Sequence, residues 1–292
     1  MFVATLVANG ALSQEDIAEA AGRLAVAGCA PVDSHWLDQD KAADIFFGLD
    51  PVAARAALTG IGEKVDVIVQ LAQGREKKLL IADMDSTMIT VECIDELADY
   101  AGIKPQIAEI TERAMRGELD FAGALHERVA LLKGLADTAI DQCREERVVI
   151  MGGARALVRT MKARGATTLL VSGGFTRFTG PVAEEIGFDA AVANVLEIAD
   201  GALLGTVTTP IVDAARKRAE LEAAIEGGID RALTLAVGDG ANDIPMIQGA
   251  GLGVAYHAKP KTREAAAAEI VHGDLTVLLY AQGIASAEWV AG

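Results

Sequence analysis

Aromatic side chains are scarce in this 292-residue chain, at 4%, although 51% of it is apolar. An interior of that composition is built mainly from Ala, Val, Ile and Leu, which suits a parallel α/β sheet. Cysteines are few and scattered. Cys29, Cys93 and Cys143 form no Cys-x-x-Cys pair, so neither a zinc cluster nor a disulfide framework is expected, and the cytoplasm is the expected compartment. No apolar run approaches the roughly 18 residues of a bilayer span. No positive charge precedes Arg23 to open an export signal, so a soluble, non-exported protein is expected. Basic residues are outnumbered, 26 Lys and Arg against 42 Asp and Glu, giving a formal charge of -16. A field of that sign repels nucleic acid and anionic membranes, and neither is expected as a partner. Repeats of fixed period and low-complexity tracts are also missing.

What is present divides in two. Residues 1–72 alternate short apolar runs with helical stretches: Phe2 to Ala8, a helix from about Gln14, Val32 to Leu37, Ala42 to Phe47, a helix after Asp50-Pro51, and Val65 to Leu71. The order reads βαββαβ. Ser13 with Asp16 forms a capping pair, and Asp50 before Pro51 sets an N-cap ahead of a proline at N1. Two helices on one face of an antiparallel sheet follow, an α+β order that resembles the ACT family of small regulatory domains. Residues 73–78 are polar and read as a linker. From Leu79 to Gly292 buried apolar runs, Leu79 to Ala82, Thr168 to Val171 and Leu233 to Val237, alternate with helical segments such as Ala154 to Arg164 and Ala214 to Ile225. That pattern predicts an α/β domain with a doubly wound parallel sheet. A helix-rich insertion from about Cys93 to Arg147 reads as a cap. Asp200-Gly201 between apolar runs predicts a β-hairpin that extends one sheet edge.

The chemical signals fall just after predicted strands, where an open α/β sheet gathers its ligand loops. Asp83-Met84-Asp85-Ser86-Thr87 follows Leu79 to Ala82; one carboxylate can act as a nucleophile while the second, two residues on, exchanges protons. Ser172-Gly173-Gly174 follows Thr168 to Val171, and its hydroxyl and unobstructed amides can hold phosphoryl oxygens. Gly238-Asp239-Gly240-Ala241-Asn242-Asp243 follows Leu233 to Val237 and can complete an all-oxygen site for a hard cation, for which Mg²⁺ is expected. Lys217 can neutralise phosphoryl charge.

In this order the set Asp83-x-Asp85-x-Thr87, Ser172, Lys217 and Gly238-Asp239-Gly240-x-x-Asp243 resembles the haloacid dehalogenase superfamily over residues 79 to 285. Asp83 to Thr87, the cap segment Thr111 to Phe121, Ser172 to Thr176, Gly238 to Met246 and Ala255 to Pro260 are similar to its phosphoserine-hydrolysing family. The resemblance implies that Asp83 attacks phosphorus and Asp85 protonates the departing seryl oxygen, then deprotonates water. It implies Mg²⁺ on the Asp83 and Asp239 carboxylates and the Asp85 backbone carbonyl, with Asp243 in support. Ser172, Gly173, Gly174, Lys217 and Asn242 would meet the phosphoryl group of O-phospho-L-serine. Glu92 would take the substrate ammonium, Arg128 its carboxylate, and Met115 and Phe121 would close the cap. His257 reads as structural. The family's Met-Pro-Gly return from the cap is Met151-Gly152-Gly153 here, a change that would loosen the hinge. Two other readings stand beside hydrolysis of phosphoserine in serine biosynthesis. One is a phosphatase or phosphotransferase for another small phosphorylated amine, and the other a serine-sensing regulatory protein. Homodimerisation through the front domain is compatible with the sequence.

Overall fold

Capping and alternation act as the sequence predicts in the first part of the chain. The order is β1 (Phe2–Ala8), α1 (Gln14–Val26), β2 (Pro31–Asp38), β3 (Ala42–Phe47), α2 (Pro51–Leu58) and β4 (Val65–Leu71) in a computed structural model that describes residues 1–116 and 118–291. The Ser13 hydroxyl accepts from the Asp16 amide at 3.1 Å while Asp16 accepts from the Ser13 amide at 2.8 Å. Asp50 Oδ1 accepts from the amides of Val52 and Ala53 at 3.1 and 2.9 Å. Each bond meets an amide that the first helical turn would otherwise leave without a partner. The strands pair antiparallel in the order β2-β3-β1-β4. One face packs under α1 and α2 through Ala4, Leu6, Ile17, Leu24, Ile45 and Phe47. The other joins the main core through Val7, Ala42 and Ile68.

The polar stretch after β4 is anchored at several points. Arg75 pairs with the buried Asp44 at 2.6 Å, and the buried Lys77 ammonium donates to the carbonyls of Gly74 and Ala232 at 3.2 and 3.0 Å.

Next come β5 (Leu79–Ala82) and four helices, α3 (Cys93–Tyr100), α4 (Lys104–Met115), α5 (Phe121–Leu131) and α6 (Thr138–Arg147). The chain continues through α7 (Ala154–Ala163), β6 (Thr167–Phe175), α8 (Thr176–Ile186), β7 (Ala190–Asn194), β8 (Leu196–Ala199), β9 (Ala202–Val207) and α9 (Ala214–Glu226). It ends with β10 (Thr234–Gly238), α10 (Ile244–Gly249), β11 (Leu252–Tyr256), α11 (Pro260–Ala265), β12 (Ala268–Ile270) and α12 (Val277–Ala281). The main sheet is parallel, ordered β12-β11-β10-β5-β6-β7. The chain leaves β5 toward β6 and β7 on one side, then returns to build β10, β11 and β12 on the other. The carboxyl ends of β5 and β10 therefore flank the point where strand order reverses, the place such sheets bind ligands. Among the described residues no helix is long and apolar enough to cross a membrane.

Three local expectations are corrected. The loop expected at Ser172 to Gly174 continues β6 to Phe175, because the backbone stays extended although its ladder to β7 slips between Val171 and Phe175. The hairpin does turn at Asp200-Gly201, with φ of 51° and 75°, but it forms a separate two-stranded sheet and extends no edge. Its free edge is taken up by the cap instead: the amides of Gly134 and Asp137 donate to the carbonyls of Leu203 and Gly201 at 2.8 and 2.9 Å. The return at Gly152-Gly153, finally, is not loose. Ile89 bridges Ile150, and the Met151 amide donates to the Met88 carbonyl at 2.9 Å.

Candidate active site

β5 is buried along its whole length, so the chain delivers Asp83 at its carboxyl end with 5% exposure. The loop that follows curls on itself, with the amides of Met88 and Ile89 donating to the Met84 carbonyl at 2.8 and 3.1 Å. Lys217 enters from the first turns of α9, which Asp213 caps by accepting from the Arg216 amide at 2.8 Å. Its ammonium is fully buried and lies 2.6 Å from both Asp83 Oδ1 and Asp243 Oδ1. The flanking arginines turn elsewhere, Arg216 to Glu220 and Arg218 to the Pro245 carbonyl. Helical register thus singles out Lys217.

Charge is crowded here. Burial pushes the Asp83 carboxyl well above the usual range, Asp243 pushes it further, and Lys217 only partly opposes them. Asp239 is raised to about 6 by burial, then by Asp243 and Glu92. Asp85 is raised to about 7 by burial and then by Glu92. For Lys217 burial opposes the charged form, but Asp243 and Asp83 outweigh it and hold the ammonium above the ordinary lysine value. Oxygens of Asp83, Asp239 and Asp243 lie within 4.8 Å of one another. One ammonium does not balance that set, and an oxygen-only group of this kind suits a hard divalent cation. The residues fit the expected Mg²⁺.

The structure brings the side chains of Asp83, Asp239 and Asp243 together and sets that of Asp85 apart. Asp85 Oδ2 accepts from the Cys93 amide at 3.1 Å, and its buried Oδ1 has no partner among the described residues. Asp243 is a member of the carboxylate cluster, with Oδ1 on Lys217 and Oδ2 accepting from the Gly240 amide at 3.0 Å.

Above these groups opens a cavity of about 850 Å³. Its floor carries Asp83, Asp85, Ser172, Gly173, Gly174, Asp239 and Asn242; Glu92, Phe121 and Arg128 face it from the cap side. Ser172 Oγ accepts from the Gly174 amide at 2.9 Å. A Cβ on Gly173 would come within 3.1 Å of the Phe121 ring, so a bare backbone lets cap and floor meet. Glu92 accepts from the Ser86 hydroxyl at 2.8 Å. Arg128 donates from Nε to the Ala124 carbonyl at 3.1 Å and makes no ion pair among the described residues. Burial works against its charge, while Asp95, Glu92 and Asp85 support it. The Met115 side chain, expected over the substrate, lies outside the described residues. His257 lines no part of this cavity and approaches the Gly273 carbonyl at 2.9 Å.

Among the wall residues to which the sequence reading gave no role are Lys259, Lys261 and Thr262, whose buried hydroxyl has no partner among the described residues. Their signal was Pro260, which starts α11 directly beyond β11 and so brings a helix N-terminus to the same sheet edge.

A doubly wound sheet with carboxylates at its switch point and a helical lid defines a class of capped hydrolases. The family model for haloacid dehalogenase-like hydrolase matches residues 80–248, and the chain belongs to that family. Within it, the chain is 48% identical over 208 residues to a phosphoserine phosphatase of Polaromonas sp., covering 69% of this chain and 88% of that protein. It is 44% identical over 246 residues to a phosphoserine phosphatase of Streptomyces coelicolor, covering 82% of this chain and 60% of that protein. The crystal structure of a probable phosphoserine phosphatase from Vibrio cholerae superposes with a TM-score of 0.77 at 32% identity, covering 98% of this chain and 87% of that one.

Proposed function

We propose that this chain is a Mg²⁺-dependent phosphatase that hydrolyses O-phospho-L-serine to L-serine and phosphate, in the cytoplasm, as the last step of serine biosynthesis. The observation that carries the reading is the buried Lys217 bridging Asp83 and Asp243, beneath a cavity whose cap wall offers Glu92 and Arg128. Asp83 is the nucleophile. Its free oxygen attacks phosphorus in line; the bond from phosphorus to the seryl oxygen breaks, and Asp85 gives that oxygen a proton. The same carboxylate then takes a proton from water, whose oxygen attacks the aspartyl-phosphate and restores Asp83. One difficult displacement becomes two easier ones. A carboxyl pushed to about 7 suits a group that must give and regain a proton near neutrality. Ser172, the Gly173 amide, Asn242 and Lys217 hold the phosphoryl oxygens, with Gly174 beside them donating its amide to Ser172 Oγ, and their fixed positions do much of the work in phosphoryl transfer.

The Asp83 and Asp239 carboxylates and the Asp85 carbonyl, with Asp243 behind them, would hold Mg²⁺, which would neutralise charge on the phosphoryl group. Glu92 recognises the substrate ammonium and Arg128 its carboxylate, a forked pairing that suits guanidinium. Phe121 closes the cap side against water. In this reading residues 1–72 form an ACT-like domain, 73–78 the connection, and 79–292 the phosphatase domain with its cap at about 93–147. Phosphate release from O-phospho-L-serine, with and without EDTA and beside phosphothreonine and phosphoethanolamine, tests the assignment. Mg²⁺-dependent release with phosphoserine preferred is expected. A preference for phosphoethanolamine would instead assign another phosphorylated amine, and serine binding without hydrolysis would assign a sensor.

A further inference from the structure

The segment from Val271 to Gln282 is held from two sides. On one side is the first domain. Asp66 of β4, 4% exposed, accepts from the amides of Val271, His272 and Gly273 at 2.8, 3.1 and 2.6 Å. Its carboxylate thus fills a small nest of backbone donors more than 200 residues away in sequence. Gln70 donates to the Ala281 carbonyl at 2.7 Å and Asp38 accepts from the Tyr280 hydroxyl at 2.7 Å. On the other side is the cap's return. The Leu275 amide donates to the Gly152 carbonyl at 3.2 Å. Gly153, at φ +79°, leaves no room for a Cβ, which would sit 2.7 Å from the Thr276 amide nitrogen and 3.1 Å from Asp274 Oδ1. Met151, two residues before Gly153, is hydrogen-bonded to Met88, five residues beyond Asp83. A continuous run of contacts therefore leads from a carboxylate of the first domain to the point where the cap rejoins the core.

We propose that Asp66 is a positioning residue for the cap: by pinning Val271 to Gly273 it fixes the segment against which Gly152 and Gly153 seat, and so sets the cap over the cavity. For its kinetic arm this rests on the phosphatase reading above. Amide exchange does not depend on that reading and keeps the two separable. In the full-length protein with saturating Mg²⁺, Asp66→Ala is expected to speed exchange at the amides of Val271 to Gly273 and also at Leu275 and Met151. It should raise KM for phosphoserine about 5-fold or more with kcat within about 2-fold, since the cap contributes binding while the nucleophile loop stays intact. Asp66→Asn, which keeps one acceptor but turns an NH2 toward amide donors, should act in the same direction and serves if the alanine variant does not fold. Asp38→Ala provides the control, since it cuts a contact of the same domain with the far end of the segment, next to Ser286. It should lower Tm and leave KM and the Met151 amide unchanged. Faster exchange at Val271 to Gly273 with an unmoved Met151 amide would overturn the proposal, as would equal changes in KM for Asp66→Ala and Asp38→Ala.

Discussion

Buried carboxylates in the first domain and in the cavity have opposite surroundings. Asp44, fully buried in β3, accepts from the Thr5 hydroxyl at 2.6 Å and pairs with Arg75 at 2.6 Å. Asp66 has its three amides. Around the cavity, Asp83, Asp239 and Asp243 crowd one ammonium, and among the described residues Asp85 Oδ1 and the Thr262 hydroxyl have no partner. Buried polar groups cost stability unless satisfied. A carboxylate with its partners in place serves the fold, whereas one left wanting is held for something that arrives. The division is not complete, because Gln70 Oε1 at the domain junction also lacks a partner.

The sharpest way to break that contrast is to neutralise one carboxylate of each kind. Asp83→Asn should cost at least about 10⁴-fold in phosphoserine turnover, as loss of a nucleophile does. Tm should not fall, because the change removes a like charge from the cluster. A measured kcat near wild type would remove Asp83 from the mechanism. Chelation should act in the same direction: EDTA should abolish release, and Mg²⁺ should restore it.

A smaller effect is expected at the cap wall. Arg128→Lys should raise KM for phosphoserine by about 10- to 150-fold, the roughly 1.5–3 kcal/mol of a charge-assisted hydrogen bond. Phosphoethanolamine has no carboxylate and should be handled as by wild type. Equal losses on both substrates would mean that Arg128 shapes the cap and does not read the substrate.

In the first domain the readout should move from rate to stability. Asp44→Ala leaves the Arg75 guanidinium and the Thr5 hydroxyl without their partner, and breaking a buried pair in this way costs about 3–5 kcal/mol. Denaturant midpoints should fall accordingly while kcat/KM stays within about 2-fold. A comparable loss of kcat/KM would show that the satisfied carboxylates belong to the catalytic machinery after all.

The two regions also differ in how far the sequence revealed them. The loops bearing Asp83 and Asp239 were legible because each follows a buried strand, and Ser172 because glycines follow it in a buried run that continues as β6; buried runs and glycines are local signals. Helix starts at Ser13 and Asp50 were legible for the same reason. The free hairpin, the membership of Asp243 in the cluster and the burial of Thr262 depend on which elements end up adjacent, which no short window contains. Asp66 is the extreme case. It stands in a strand of alternating Val and Ile, where a lone Asp reads as a solvent-facing position, and its partners lie 205 to 207 residues on. Lys77 likewise looked like one more charge in a polar linker.

Lys77 gives the smallest and most selective effect. The residue is 6% exposed, its ammonium meets carbonyls and no carboxylate among the described residues, and burial lowers its pKa from the free value of 10.5 to about 8. Between those two values the unfolded chain binds a proton that the folded chain does not, so stability from this group rises with pH across that window. Below about 8 the folded protein carries the full penalty of a buried ammonium. Lys77→Met removes both the penalty and the pH response, at the cost of two hydrogen bonds, to the Gly74 and Ala232 carbonyls. Urea unfolding at pH 7.5 and 10 separates the terms: wild type should gain on the variant by about 1–3 kcal/mol as pH rises. A gap that stays constant across the window would mean that this lysine reaches water and is held no differently from those on the surface.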